Sequence, residues 1–173
     1  MNTRQVSITV PIFLAIFIIQ ESVVSQFRLP GGGFSIFLIF SITWALMSSP
    51  EIAALCGFVA GLLMDLSQSS SGPIGQWTLL MIAISYAVAY LGSGNEIMAS
   101  NPLGFTFFTA LAVFVVESAF VVTGALLGVA SGSFGQVLIT IGGVFVWALV
   151  VTPIFLPIFS RLHAFTFDTR ITK

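Results

Sequence analysis

Hydrophobic positions divide the chain into six apolar segments, at roughly 6–27, 34–48, 51–66, 75–93, 103–130 and 135–160, with short polar or Gly/Pro-bearing stretches between them. A membrane span needs about 20 apolar residues, within a range of about 17–25. The second and third segments are short enough to suggest one broken span over 34–66. Local chemistry separates them. In "SSPE", Ser49 is placed to cap a helix, Pro50 suits a first helical position, and Glu51 favours the positive helix end. Asn101-Pro102 repeats the device before the fifth segment, and "SSSGPIG" at 69–75 reads as a flexible turn between the third and fourth. Pro153 and Pro157 are expected to kink or end the sixth helix.

Composition turns this pattern into a fold class. Hydrophobic residues make up 57% of the 173 residues and charged ones only 6%, against about 25% charged in soluble domains. So little charge does not cover a water-facing surface. The expectation is a single all-α integral membrane domain over 1–173 with six transmembrane helices. The N-terminal run lacks a convincing small-x-small cleavage site, and its apolar stretch is long, so it reads as a retained first span rather than a secretory signal. Cys56 is the only cysteine. It permits no intramolecular disulfide and suits a small packing residue.

Net charge is −1. Arg4, Arg28, Arg161, Arg170 and Lys173 are scattered, so no basic patch invites nucleic acid. Their placement does suggest orientation. Arg4 precedes the first span, and Arg161, Arg170 and Lys173 follow the last. Positive residues favour the cytoplasmic side, so both termini are expected inside, which an even number of spans satisfies. Arg28 is then the sole basic residue on the outer side.

Two stripes combine small residues with an acid. In "AALCGFVAGLLMD", Ala53, Gly57, Gly61 and Asp65 are four apart and share a helix face. In the fifth segment Glu117, Val121, Gly124 and Gly128 do likewise, and Gln136, Thr140, Gly143 and Trp147 of the sixth offer a packing face. Small residues at this spacing admit a neighbouring helix closely. Gly57, Gly61, Gly124 and Gly128 are therefore candidate helix-packing or partner-docking positions, with intramolecular packing the plainer of the two.

Glu21, Asp65 and Glu117 all lie in odd-numbered helices, each roughly 20 Å from the inner end at 1.5 Å per residue. A charge at the bilayer centre costs about 2.5–3.5 kcal/mol on insertion scales, and such residues mark function by default. The three acids are candidates for one polar site or docking surface in the outer half of the bilayer, with Arg28 as counter-ion. The competing expectation is that each is satisfied separately, Asp65 for example by the backbone or hydroxyls of "SQSSSG".

Other chemistry is thin. "GGG" at 31–33 lacks the Lys and Ser/Thr of a phosphate loop and reads as a turn. His163 stands without a second ligand at metal spacing and reads as a solvated or snorkelling side chain. No serine has an evident base partner. The expectation is a non-enzymatic protein with no catalytic residues, no metal and no cofactor.

"GFVAGLLMDLSQSSSGPIG" resembles the signature of the bacterial rod shape-determining protein MreD family, a Gly-Phe-x-x-Gly-x-x-x-Asp-Leu run followed by a short polar loop and a Gly. Gly57, Phe58, Gly61, Asp65, Leu66 and Gly75 match it in order. An acid in the fifth span (Glu117) and the Pro-bearing end "TPIFLPIFSRLHAF" are also similar to the family, although "GNEIMASNP" at 94–102 lacks the basic residues often found there and the tail is short. The resemblance implies a multi-pass protein of the bacterial inner membrane. It implies a fold similar to the substrate-binding components of energy-coupling factor transporters. It also implies a scaffold or regulatory role in cell elongation and lateral peptidoglycan synthesis. The implied partners are the bitopic protein MreC and, through it, the actin-like MreB, a SEDS glycosyltransferase and a class B penicillin-binding protein.

The rival expectation is a small-solute, vitamin-type substrate-binding component of a transporter. It requires a dedicated ligand pocket and a first helix with alanines four apart. The first span has only Ala15, which argues against it.

Overall fold

A computed structural model describes residues 3–27, 30–67, 72–93, 101–129 and 132–167. The chain is all-α. The helices are α1 (Thr3–Ser22), α2 (Ile36–Leu46), α3 (Pro50–Asp65), α4 (Gln76–Gly92), α5 (Pro102–Leu126) and α6 (Phe134–Phe167), with 3-10 turns at Val24–Gln26 and Pro30–Gly32 after α1. By length and composition, α5 and α6 are long and apolar enough to cross a membrane.

Local chemistry sets most of the boundaries. Ser35 caps α2 by accepting from the Leu38 N–H at 3.1 Å. Asn101 caps α5 by accepting from the Leu103 N–H at 3.0 Å, with Pro102 at the first turn. Ser49 precedes Pro50 as expected, but its side chain makes no capping bond. At the end of α5, the Val129 N–H donates to the Gly124 carbonyl at 2.9 Å and the Gly128 N–H to the Ala125 carbonyl at 3.1 Å. Gly128 has φ 80°, so these bonds form a Schellman closure that needs a left-handed residue.

Three boundaries differ from the hydropathy reading. The first helix ends at Ser22, not near 27, because the chain tightens into a 3-10 turn. The fifth stops at Leu126, where the Schellman closure begins. The sixth does not end at Pro153 or Pro157 but continues to Phe167. Each proline removes one rung of the helix ladder, and the flanking rungs persist.

The core is built around α2. Every residue from Ile36 to Ala45 is buried, as befits a helix that is apolar all round. Phe13 of α1 packs edge-on to Phe40 at 4.9 Å and Trp44 at 5.6 Å. From α6, Phe159 meets Phe40 at 5.1 Å and His163 meets Trp44 at 4.9 Å. His163 is therefore packed rather than solvated: its Nε2 also lies 3.1 Å from the Ser48 hydroxyl, and its ring stacks on Phe167 at 4.6 Å. The outward faces, by contrast, are apolar. Leu79, Leu103, Val122, Phe134, Ile139 and Ile154 are among the large hydrophobic side chains left mostly exposed.

The tightest helix pair is the α3–α4 hairpin. A β-carbon at Gly61 would meet Thr78 Cα and, at 2.7 Å, the Trp77 carbonyl oxygen. One at Gly57 would meet the Met81 carbonyl and, at 2.8 Å, the Ser85 hydroxyl. Ala53 packs with Ala89 and Ala45 farther along. The small-residue stripe of α3 is thus the seat of α4, joined by α2 at Ala53, and α4 leaves no room for a further helix at Gly57 and Gly61.

Candidate functional site: a cavity lined by two carboxylates

The three candidate acids, Glu21, Asp65 and Glu117, meet different fates. Asp65 ends α3, is buried, and points at the start of α4. Its Oδ1 accepts from the Trp77 N–H at 3.0 Å, and its Oδ2 accepts from the Thr78 N–H at 2.9 Å and the Thr78 hydroxyl at 2.5 Å. The residue at the α4 N-cap position is Gly75, with φ 96° and no side chain to supply a cap. Asp65 fills that role from the preceding helix. A carboxylate there satisfies free amides and complements the positive end of α4.

Glu21 and Glu117 line one partly open cavity of about 370 Å³. Glu21 comes from the last turn of α1 and accepts from the Ser67 hydroxyl at 2.9 Å. Glu117 comes from the middle of α5 and has no hydrogen-bond or ion-pair partner among the described residues. Gln20, Ser35 and Ser67 add polarity, while Phe17, Phe34, Phe37, Met64, Trp77 and Val144 form apolar walls. Asp65 does not line the cavity. It stands behind Trp77, whose backbone it holds. Arg28, the expected counter-ion, lies outside the described residues, as do residues 68–71 and 94–100, Arg170 and Lys173.

The glycine turn forms part of the cavity wall through Gly32 and Gly33. Gly31, Gly32 and Gly33 have φ of 73°, 85° and 75°, a run that only glycines adopt without strain. The turn lies on α6, with Gly31 against Gly143 and Gly32 against the Thr140 methyl. The α6 face anticipated as a seat for another helix receives this turn instead.

The α5 stripe is also corrected. A β-carbon at Gly124 would lie 3.5 Å from Gln76 Nε2, an ordinary contact. Gly128 lies beyond the helix and serves the Schellman closure. Neither forms a close helix–helix seat. The side chain that joins α4 to α5 is Gln76, which sequence reasoning passed over. Its Nε2 donates to the Phe120 carbonyl and the Thr123 hydroxyl, both at 2.7 Å. Beside it Trp77 stacks on Phe120 at 4.2 Å. Gln20 was also passed over; its Oε1 accepts from the Ile36 N–H at 2.8 Å and fixes the start of α2 to the end of α1. A lone polar residue in an apolar run was the available signal in both cases.

Among groups of His, Cys, Asp and Glu, no set of three or more is placed to hold a metal ion among the described residues. Compared with known proteins, the chain matches no protein-family model, no curated protein and no solved structure.

Proposed function

We propose that the chain is a six-span protein of the bacterial inner membrane, with both termini cytoplasmic. Its role would be that of an MreD-like scaffold or regulatory subunit of the cell-elongation complex, bound to an MreC-type bitopic partner. The apolar outward faces and the lengths of α5 and α6 support the membrane reading. At about 16 Å, with 1.5 Å per residue, α2 is too short to face lipid alone, and the helices around it shield it.

One observation carries the scaffold reading: the motif residues divide into two groups on one hairpin. Gly57, Gly61, Asp65 and Gly75 build the α3–α4 contact and its cap. Phe58 and Leu66 instead stand exposed with Leu55 and Leu62, spaced three, four and four along α3. The partner's span is assigned to this outer ridge, not to the glycine face, which α4 occupies.

The test is co-purification with the MreC-type partner from detergent-solubilised membranes. Replacing Phe58 and Leu62 together by Ala is expected to reduce recovered partner several-fold at equal membrane insertion. Undiminished recovery would remove the ridge as the docking face, and a wild-type chain that recovers no partner at all would remove the scaffold reading.

A further inference from the structure

We propose that the cavity between α1, α5 and the glycine turn binds a small amphipathic organic cation, an ammonium group carried on an aromatic or aliphatic body.

Size is the first argument. About 370 Å³ falls within the range of roughly 300–1,000 Å³ typical of small-molecule sites. Charge is the second. Two carboxylates line the space, and no Lys, Arg or His does so among the described residues. Among the described residues, an anion would meet only like charge there. Distribution is the third. The carboxylates of Glu21 and Glu117 share the cavity with the aromatic walls of Phe17, Phe34 and Trp77, so a ligand there meets both acceptors and rings. An ammonium group gains charge-assisted hydrogen bonds from the first and cation–π attraction from the second.

Glu117 ties these together. Glu21 is held by Ser67, and the Gln20 oxygen is committed to Ile36. Glu117 has no such partner among the described residues, yet it comes from mid-helix and is largely buried. An unpaired carboxylate in that setting is costly. A bound cation offsets that cost through its charge, a contribution that a neutral molecule of the same shape lacks. The proposal stands whether the chain is a scaffold that responds to a ligand or a carrier that holds one, because it concerns binding alone.

The experiment uses the full chain in detergent micelles and follows melting temperature against probe concentration. The probes are phenethylammonium chloride and its neutral isostere 2-phenylethanol. Phenethylammonium is expected to give a saturable upward shift and 2-phenylethanol none. Glu117→Gln should weaken the ammonium probe at least tenfold without lowering the ligand-free melting temperature. Should that variant fail to fold, Val24→Phe, which adds a ring at a cavity-lining position and keeps both carboxylates, is expected to abolish the shift. Equal shifts from both probes, undiminished binding by the variants, or no shift with the wild-type chain would each overturn the proposal. So would competition by added phosphatidylethanolamine but not phosphatidylcholine, which would assign the ammonium site to a lipid headgroup.

Discussion

Asp65 holds Thr78 twice, accepting from its backbone N–H at 2.9 Å and from its hydroxyl at 2.5 Å. With the bond from Trp77, this makes the last residue of one helix the cap of the next. Asp65→Asn keeps the shape but removes the charge and turns one acceptor into a donor facing an N–H. The expected cost is about 1–3 kcal/mol, that of a lost charged hydrogen bond in a buried site. Thr78→Val removes only the hydroxyl bond and should cost about 1 kcal/mol. The double variant should lose less than the sum, because both changes break the same contact. Denaturant unfolding in micelles measures all three, and strict additivity would show that the two residues do not act together.

Glycines in three settings should respond differently to alanine. Gly61→Ala drives a methyl into the Thr78 backbone and is expected to cost about 1–3 kcal/mol, as overpacking does. Gly128→Ala meets nothing within 4 Å, but its φ of 80° is left-handed, so a cost of about 1–2 kcal/mol is expected from the backbone alone. Gly142→Ala on α6 also meets open space and has helical geometry, so it should stabilise by about 0.5–1 kcal/mol. Melting temperatures in one detergent rank the set. A destabilised Gly142→Ala, or a neutral Gly61→Ala, would contradict the helix contacts described above.

The last turns of α6 are fixed to the core by a histidine ring. His163→Ala loses the aromatic contacts to Trp44 and Phe167 and the Ser48 bond. Ring pairs contribute about 0.5–1.5 kcal/mol each and the hydrogen bond about 1 kcal/mol, so a loss of about 2–4 kcal/mol is expected. His163→Phe retains the ring contacts and should lose about half as much. Equal melting temperatures for the two variants would show that the rings contribute nothing.

Six helices were legible in the hydropathy pattern because most of their boundaries are set by chemistry that acts locally. Asn101 with Pro102 starts α5, and Ser49-Pro50 marks the gap between α2 and α3 within a residue. What acts at a distance was not legible. The spacing of Gly57 and Gly61 announces a close neighbour but not which one, and the neighbour is the next helix. Gly128 is four residues beyond Gly124, so a periodic reading places it on the helix; only the φ at the chain's turn removes it. The depth argument put Glu21 and Glu117 at one level, and they do share a cavity. It placed Asp65 with them, but helix geometry alone does not reveal that the side chain is taken by the amides of Trp77 and Thr78. Gln76 and Gln20, each a single polar residue among apolar ones, bridge elements that periodicity treats as separate.

The enclosure of α2 has a bearing on the order in which the protein is made. Its aromatic side chains emerge early, yet Phe40 and Trp44 are covered by Phe159 and His163, more than a hundred residues later. During synthesis the centre of the molecule is therefore open until Phe159 and His163 have left the ribosome. The C-terminal helix acts as the closing wall, and a chain interrupted before Phe159 has all six helices begun but no finished interior.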